Sequence, residues 1–233
     1  MFRLPIVLVA LAFVFQSASR APAADDGVHL FILSGQSNME RLDPAKDFTP
    51  AVAEAFGADR VVVVKDAKGA QPIRRWYKQW KSAAGEAPEG AGDLYDRLMG
   101  KVKTAIDGKK VASVTFVWMQ GERDAREGHG SVYADSLRGV IKQIEKDLGR
   151  DDVGYVIGRI NDFGMTDKGY PDWVAVREAQ VLVAEEGKRG AWVDTDDLNN
   201  KGTKNDIHCM GDGYQKLGKR FAEKAIELVK KGN

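Results

Sequence analysis

Hydrophobic residues gather in five short runs along the chain, at 28–33, 60–64, 113–119, 154–160 and 191–194. Each is nearly continuous in Val, Ile, Leu, Phe and Trp. Uninterrupted runs of this length are what a strand shows when helices cover both faces, as in a parallel sheet. Between the runs the period lengthens. Leu94, Leu98, Val102 and Ile106 recur every four residues, and Tyr133, Leu137, Val140, Ile141 and Ile144 make a stripe. A third helical segment spans 173–184. A last one, about 213–231, puts Tyr214, Leu217, Phe221, Ile226 and Leu228 on roughly one face. Strands alternating with helices predict an α/β fold in three layers, helices on both sides of a parallel sheet, joined by right-handed crossovers.

The segment 82–92, rich in Gly, Ala, Pro and Glu, reads as a surface loop inside one domain, and no internal repeat is present. The first 24 residues follow a different pattern: Arg3, an apolar stretch over 4–15, then Ala21-Pro22-Ala23. A basic start, a short apolar core and small residues at a cleavage point predict a secretory signal, removed to leave one domain over 25–233. The stretch is too short for a membrane span, which needs roughly 20 apolar residues. The protein is therefore expected in a periplasm or outside the cell, with no membrane association after cleavage.

Composition narrows the partners. The 35 basic and 34 acidic residues nearly cancel, so neither nucleic acid nor an anionic membrane surface is expected. Cys209 is the only cysteine, which excludes an intramolecular disulfide. With three scattered histidines, neither a metal site nor a cofactor is expected.

In such a sheet, ligands lie beyond the carboxyl ends of the strands, and the chemically useful residues follow the predicted strands. After the first comes Ser34-Gly35-Gln36-Ser37-Asn38-Met39. Ser37 falls where the strand gives way to a helix, so its own N–H lies in a first helical turn, a favourable place for a developing oxyanion. Ser34 precedes the glycine and reads as the end of the strand. A serine needs a base. His29 lies within the first strand and reads as structural, and His129 sits in a Gly-rich loop. His208 stands just before the last helix, with Asp206 two positions back; in an extended segment the two share a side, so Asp206 can orient the imidazole. The α/β-hydrolase elbow G-x-S-x-G is absent, because Met39 holds the second glycine position.

Four motifs in order, "GQSNM", "KGAQPIRRW", "WMQGERDA" and "DIHCMGDGYQKLGKRFA", resemble the sialate O-acetylesterase-type branch of the SGNH hydrolases, which includes carbohydrate esterase family six. The likeness runs from Phe31 to Ala222. It implies a flavodoxin-like sheet and metal-free deacetylation of a sugar through a covalent acyl-enzyme. Carried over by position, Ser37 is the nucleophile and His208 the base. The Ser37 N–H, Gly69 and Gln120 form the oxyanion hole. Many SGNH enzymes place the acid three before the histidine, where this chain has Asn205; Asp206 is the nearest carboxylate, with Glu122 as substitute. Asn161 is expected in the pocket, and Gln36, Asn38 and Arg74 as substrate contacts. Three alternatives share the architecture: an esterase for aryl or short acyl esters, a non-catalytic carbohydrate-binding relative, and a flavin or nucleotide binder. The last is disfavoured because "SGQSNME" has one glycine and no phosphate-cradling loop.

Overall fold

The computed structural model describes residues 27–88, 91–199 and 207–232. The expected signal segment and Asp206 lie outside the described residues. Five strands, β1 (Val28–Gly35), β2 (Val61–Ala67), β3 (Val111–Met119), β4 (Gly154–Gly158) and β5 (Gly190–Val193), form one sheet. Their order is β2-β1-β3-β4-β5 and every neighbouring pair is parallel. The 2-1-3-4-5 order is that of flavodoxin-like sheets, and it reverses direction between β1 and β3.

Among the described residues, seven α-helices flank the sheet: α1 (Ser37–Arg41), α2 (Phe48–Phe56), α3 (Asp93–Ala105), α4 (Glu122–Glu127), α5 (Gly130–Leu148), α6 (Trp173–Glu185) and α7 (Gly213–Lys230). Successive strand residues point to opposite faces, so each strand feeds two cores. Leu30, Ile32, Phe116 and Trp118 pack with Leu98 of α3, Leu137 and Ile144 of α5, and Val176 of α6. Phe31, Leu33, Val117 and Met119 pack on the other side with Phe48 of α2 and Leu217 and Phe221 of α7. These are the three layers that the apolar runs predict.

The differences have local causes. β2 continues past 64 through Lys65-Asp66-Ala67. A nearly buried carboxylate is tolerated there because Arg97 Nε (2.6 Å) and Lys101 Nζ (2.5 Å), both on α3, reach Asp66. β4 stops two residues short of the predicted end, where the Ile160 N–H turns to Gln180 Oε1 at 2.8 Å. β1 runs on to Gly35, whose φ of 144° only glycine adopts readily; a Cβ there would fall 1.9 Å from the Met119 carbonyl oxygen. That close approach lets the Gln36 N–H donate to Met119 O (2.9 Å) and the Lys68 N–H to Gly35 O (3.0 Å). The turn bearing Ser37 is thus clamped between the ends of β3 and β2, at the reversal point of the sheet.

Candidate active site

Ser37 is the first residue of α1, so its N–H has no acceptor within the helix. Its Oγ lies 3.0 Å from His208 Nε2, although the two are 171 positions apart in sequence. What joins them is the next residue. Asn38 is 1% exposed; its Nδ2 donates to the Ile207 carbonyl (3.0 Å) and to Glu122 Oε1 (2.8 Å). Its Oδ1 accepts from the Cys209 N–H (3.1 Å) and the Tyr214 hydroxyl (3.2 Å). Both neighbours of His208 are therefore held by the neighbour of Ser37. Asn161 adds a weaker bond, Nδ2 to Ile207 O at 3.4 Å, and its Oδ1 accepts from the Phe163 N–H. Two expectations change here. Asn38 and Asn161, expected as a substrate contact and a pocket residue, are buried and are not among the residues lining the cleft, and their amides hold the histidine loop.

A cleft of about 420 Å³ opens over the pair, lined among others by Gln36, Ser37, Gly69, Glu122, Tyr170 and His208. Gly69 stands beside the serine, where a Cβ on it would lie 3.6 Å from that of Ser37. Its N–H donates to Glu40 Oε2 at 3.0 Å, so a carboxylate oxygen stands where the resemblance puts an oxyanion.

Gln120 is placed differently from expectation. It is fully buried behind the cleft, with its Nε2 against Asp124 Oδ2 (2.5 Å), Gln71 O (3.1 Å) and Gln36 Oε1 (3.3 Å). Its Oε1 accepts from the Tyr133 hydroxyl at 3.1 Å. With those partners its amide is not offered to the cleft. It ties α4 to the segment after β2. Gln36 does line the cleft, its Oε1 also accepting from the Arg123 N–H at 3.2 Å.

Glu122 reaches the cleft wall, but its Oε1 serves Asn38 and its Oε2 has no hydrogen-bond partner among the described residues. It makes no hydrogen bond to His208. Burial pushes its carboxyl up to about 7 against the hydrogen bonds it accepts. Asp124, which accepts the Ile73 N–H at 2.8 Å, is likewise pushed up to about 7 by burial. His208 sits below its ordinary value, through burial first and then the nearby Arg41 guanidinium. Cys209 is buried and its thiol is pushed up to about 12, mainly by that burial.

Other expected residues lie elsewhere. Arg74 is not in the cleft; it pairs with Glu127 (2.5 Å) and lines a neighbouring cavity. Ser34 is fully buried and donates to Asp66 O at 2.6 Å. His29 Nδ1 lies 2.8 Å from Ser113 Oγ, a bond between strands. The acidic loop after β5 is paired: Asp194 and Asp196 meet Arg159, Asp196 also meets Arg177, and Asp197 meets Arg220. Sequence reasoning missed Glu40, Arg41, Arg123, Arg126 and Tyr170, all on the cleft wall. Arg123 and Arg126 had a usable signal, because they are three apart just after "QGE" and so share one helix face.

A family model described as "Carbohydrate esterase, sialic acid-specific acetylesterase" matches residues 40–227, which includes His208 and begins three positions after Ser37. No curated protein matches the sequence. Among solved structures, an Arabidopsis thaliana protein is similar with a TM-score of 0.65 at 18% identity, over 86% of this chain and 98% of its own. A carbohydrate acetylesterase from Xanthomonas citri gives 0.63 at 16%, over 88% of this chain and 57% of its own. An inhibitor-bound aryl esterase of M. smegmatis gives 0.55 at 15%, over 87% of this chain and 100% of its own. At these identities the structural matches establish the shared fold.

Proposed function

The chain belongs to the sialic acid-specific acetylesterase family of carbohydrate esterases and is a carboxylic ester hydrolase, and from that premise we propose that it removes O-acetyl groups from a carbohydrate with Ser37 as nucleophile and His208 as base. The observation that carries this reading is the 3.0 Å approach of Ser37 Oγ to His208 Nε2 on the wall of an open cleft.

In the first step Ser37 Oγ attacks the acetyl carbonyl carbon and its proton passes to His208 Nε2. Negative charge grows on the carbonyl oxygen, which the N–H groups of Ser37 and Gly69 receive as Glu40 gives up its hold on Gly69. The tetrahedral carbon collapses, the bond to the sugar oxygen breaks, and the imidazolium returns its proton to that oxygen. The sugar leaves as an alcohol and the acetyl group remains on Ser37. Water, deprotonated by His208, attacks the acyl-enzyme; acetate departs and the serine regains its proton. Asp206 is assigned the role of orienting His208 through the other ring nitrogen, since Glu122 is engaged with Asn38. The N-terminal 24 residues are assigned as a cleaved export signal, placing the single domain over 25–233 on substrate outside the cytoplasm. Among the described residues, no helix is long and apolar enough to cross a membrane.

Release of acetate from a panel of acetylated glycans, with wild type and Ser37→Ala side by side, tests the reading. Ser37→Ala is expected to lose turnover by at least about 10⁴-fold, as when a member of such a nucleophile–base unit is removed, while its unfolding transition stays in place. Full activity in Ser37→Ala would overturn the assignment.

A further inference from the structure

A second cavity of about 510 Å³, walled by Arg74, Trp80, Ser82, Ala87, Glu127 and His129, opens beside the Ser37 cleft. The same two chain segments supply residues to both spaces. In the segment after β2, Gly69 and Ala70 line the cleft and Arg74 lines the second cavity. At the end of α4, Arg126 lines the cleft and the next residue, Glu127, lines the second cavity. Consecutive Cα atoms are about 3.8 Å apart, so the two spaces are neighbours across this end of α4. Glu127 is the ridge between them: its Oε1 takes Arg123 Nε (2.6 Å) from the cleft side, and its Oε2 takes Arg74 (2.5 Å) from the other.

The chemistry of the second cavity is mixed. Trp80 stands between Arg74, whose guanidinium lies 5.9 Å from the ring centroid, and the His129 ring, edge-on at 5.0 Å. Trp80 is 3% exposed, so its ring backs the cavity, and His129 Nδ1 lies 3.5 Å from Glu127 Oε2. Ser82, Arg74, Glu86 and Glu127 supply hydrogen-bonding groups to the lining. The charge of Arg74 is met by Glu127, and Glu86 adds a second carboxylate to the wall. The cavity therefore has no cationic surplus with which to select a phosphate, sulfate or carboxylate. A charge-balanced wall of hydrogen-bond donors and acceptors suits a neutral polyol.

Building on the reading of Ser37 as a carbohydrate deacetylase, we propose that this cavity holds the neighbouring neutral sugar residue of a glycan whose acetylated residue sits at Ser37. The substrate is then an oligo- or polysaccharide in preference to an acetylated monosaccharide.

The test is a chain-length series: acetylated β-1,4-linked glucose, xylose and mannose oligomers of one to four residues, with p-nitrophenyl acetate as the control ester. Ala87→Trp, at an exposed position, fills the cavity, and His129→Gln alters its wall. In wild type, kcat/KM should rise at least about tenfold between one and three residues in at least one series. Both variants should flatten that rise while p-nitrophenyl acetate hydrolysis stays within twofold. A flat wild-type response in all three series overturns the subsite and leaves the esterase reading standing, as does a rise that both variants preserve. Hydrolysis of p-nitrophenyl acetate without acetate release from any sugar overturns the subsite and the carbohydrate reading together.

Discussion

In the proposed mechanism a hydroxyl 3.0 Å from an imidazole is activated only while the ring is neutral, so the environment of His208 would set the lower limit of the working pH range. Burial and the Arg41 charge both disfavour the imidazolium and hold His208 below its ordinary value of 6.5. The neutral, base-competent form thus persists to more acidic pH than an exposed histidine would allow. Arg41→Gln removes one of the two causes, so the acidic limb of the kcat/KM profile should move to higher pH. A limb that stays put would show that Arg41 does not act on this ring. Ser37, His208 and the serine's neighbours were all visible as residue types at the ends of apolar runs. The partners of each amide were not. Gln36, Asn38, Gln120 and Asn161 look alike in sequence and are all buried, and only their partners and their place relative to the cleft separate the one that lines it from the three that brace it.

Those braces act between segments. Asn38 joins the start of α1 to the loop before α7, to α7 itself and to α4 through four bonds, and it is the principal link by which two distant pieces of chain keep a serine and a histidine in register. Asn38→Ala should lower kcat by roughly 100-fold, the order that follows from about 1 Å of misplacement, with a much smaller change in KM. It should also cost stability, because each buried partner left unpaired is worth about 1–3 kcal/mol. Adding Ser37→Ala to it should cost less than Ser37→Ala alone, a non-additivity that a merely destabilising change would not produce. The long helices and the strands were legible because their periods extend over many residues. α1 and α4, at five and six residues, are too short for any period to show. What starts α4 is Gly121, with φ 152° and Val176 and Gln180 packed where a side chain would go.

Across the molecule, the cleft is built over two carboxyl groups that folding takes out of water. Glu122 and Asp124 are both pushed up to about 7 by burial, from ordinary values of 4.5 and 3.8. An acid whose folded value is raised favours the native state below its unfolded value, and that contribution is lost as pH climbs through the folded one. Stability from this pair should therefore decline between about pH 4 and pH 7, each tenfold change in proton affinity on folding being worth about 1.4 kcal/mol. Glu122→Gln keeps an acceptor for Asn38 and does not titrate, so denaturant midpoints of the variant should fall less over that window than those of wild type. Parallel curves from pH 4 to 7 would refute the link.

The layered α/β architecture, the strands, the longer helices and the choice of Ser37 and His208 as the two side chains that meet could all be read from the order of residues. Those features rest on local periodicity, on which residues follow a strand, and on motifs short enough to read in one line. Folding in three dimensions was needed to make Gln120 buried scaffold, to set Asn38 and Asn161 to holding the histidine loop, and to assign Arg74 to a second cavity. An amide or guanidinium has the same chemistry wherever it stands. Its role depends on the partners that packing brings within about 3 Å, and those come from parts of the chain that no local pattern connects.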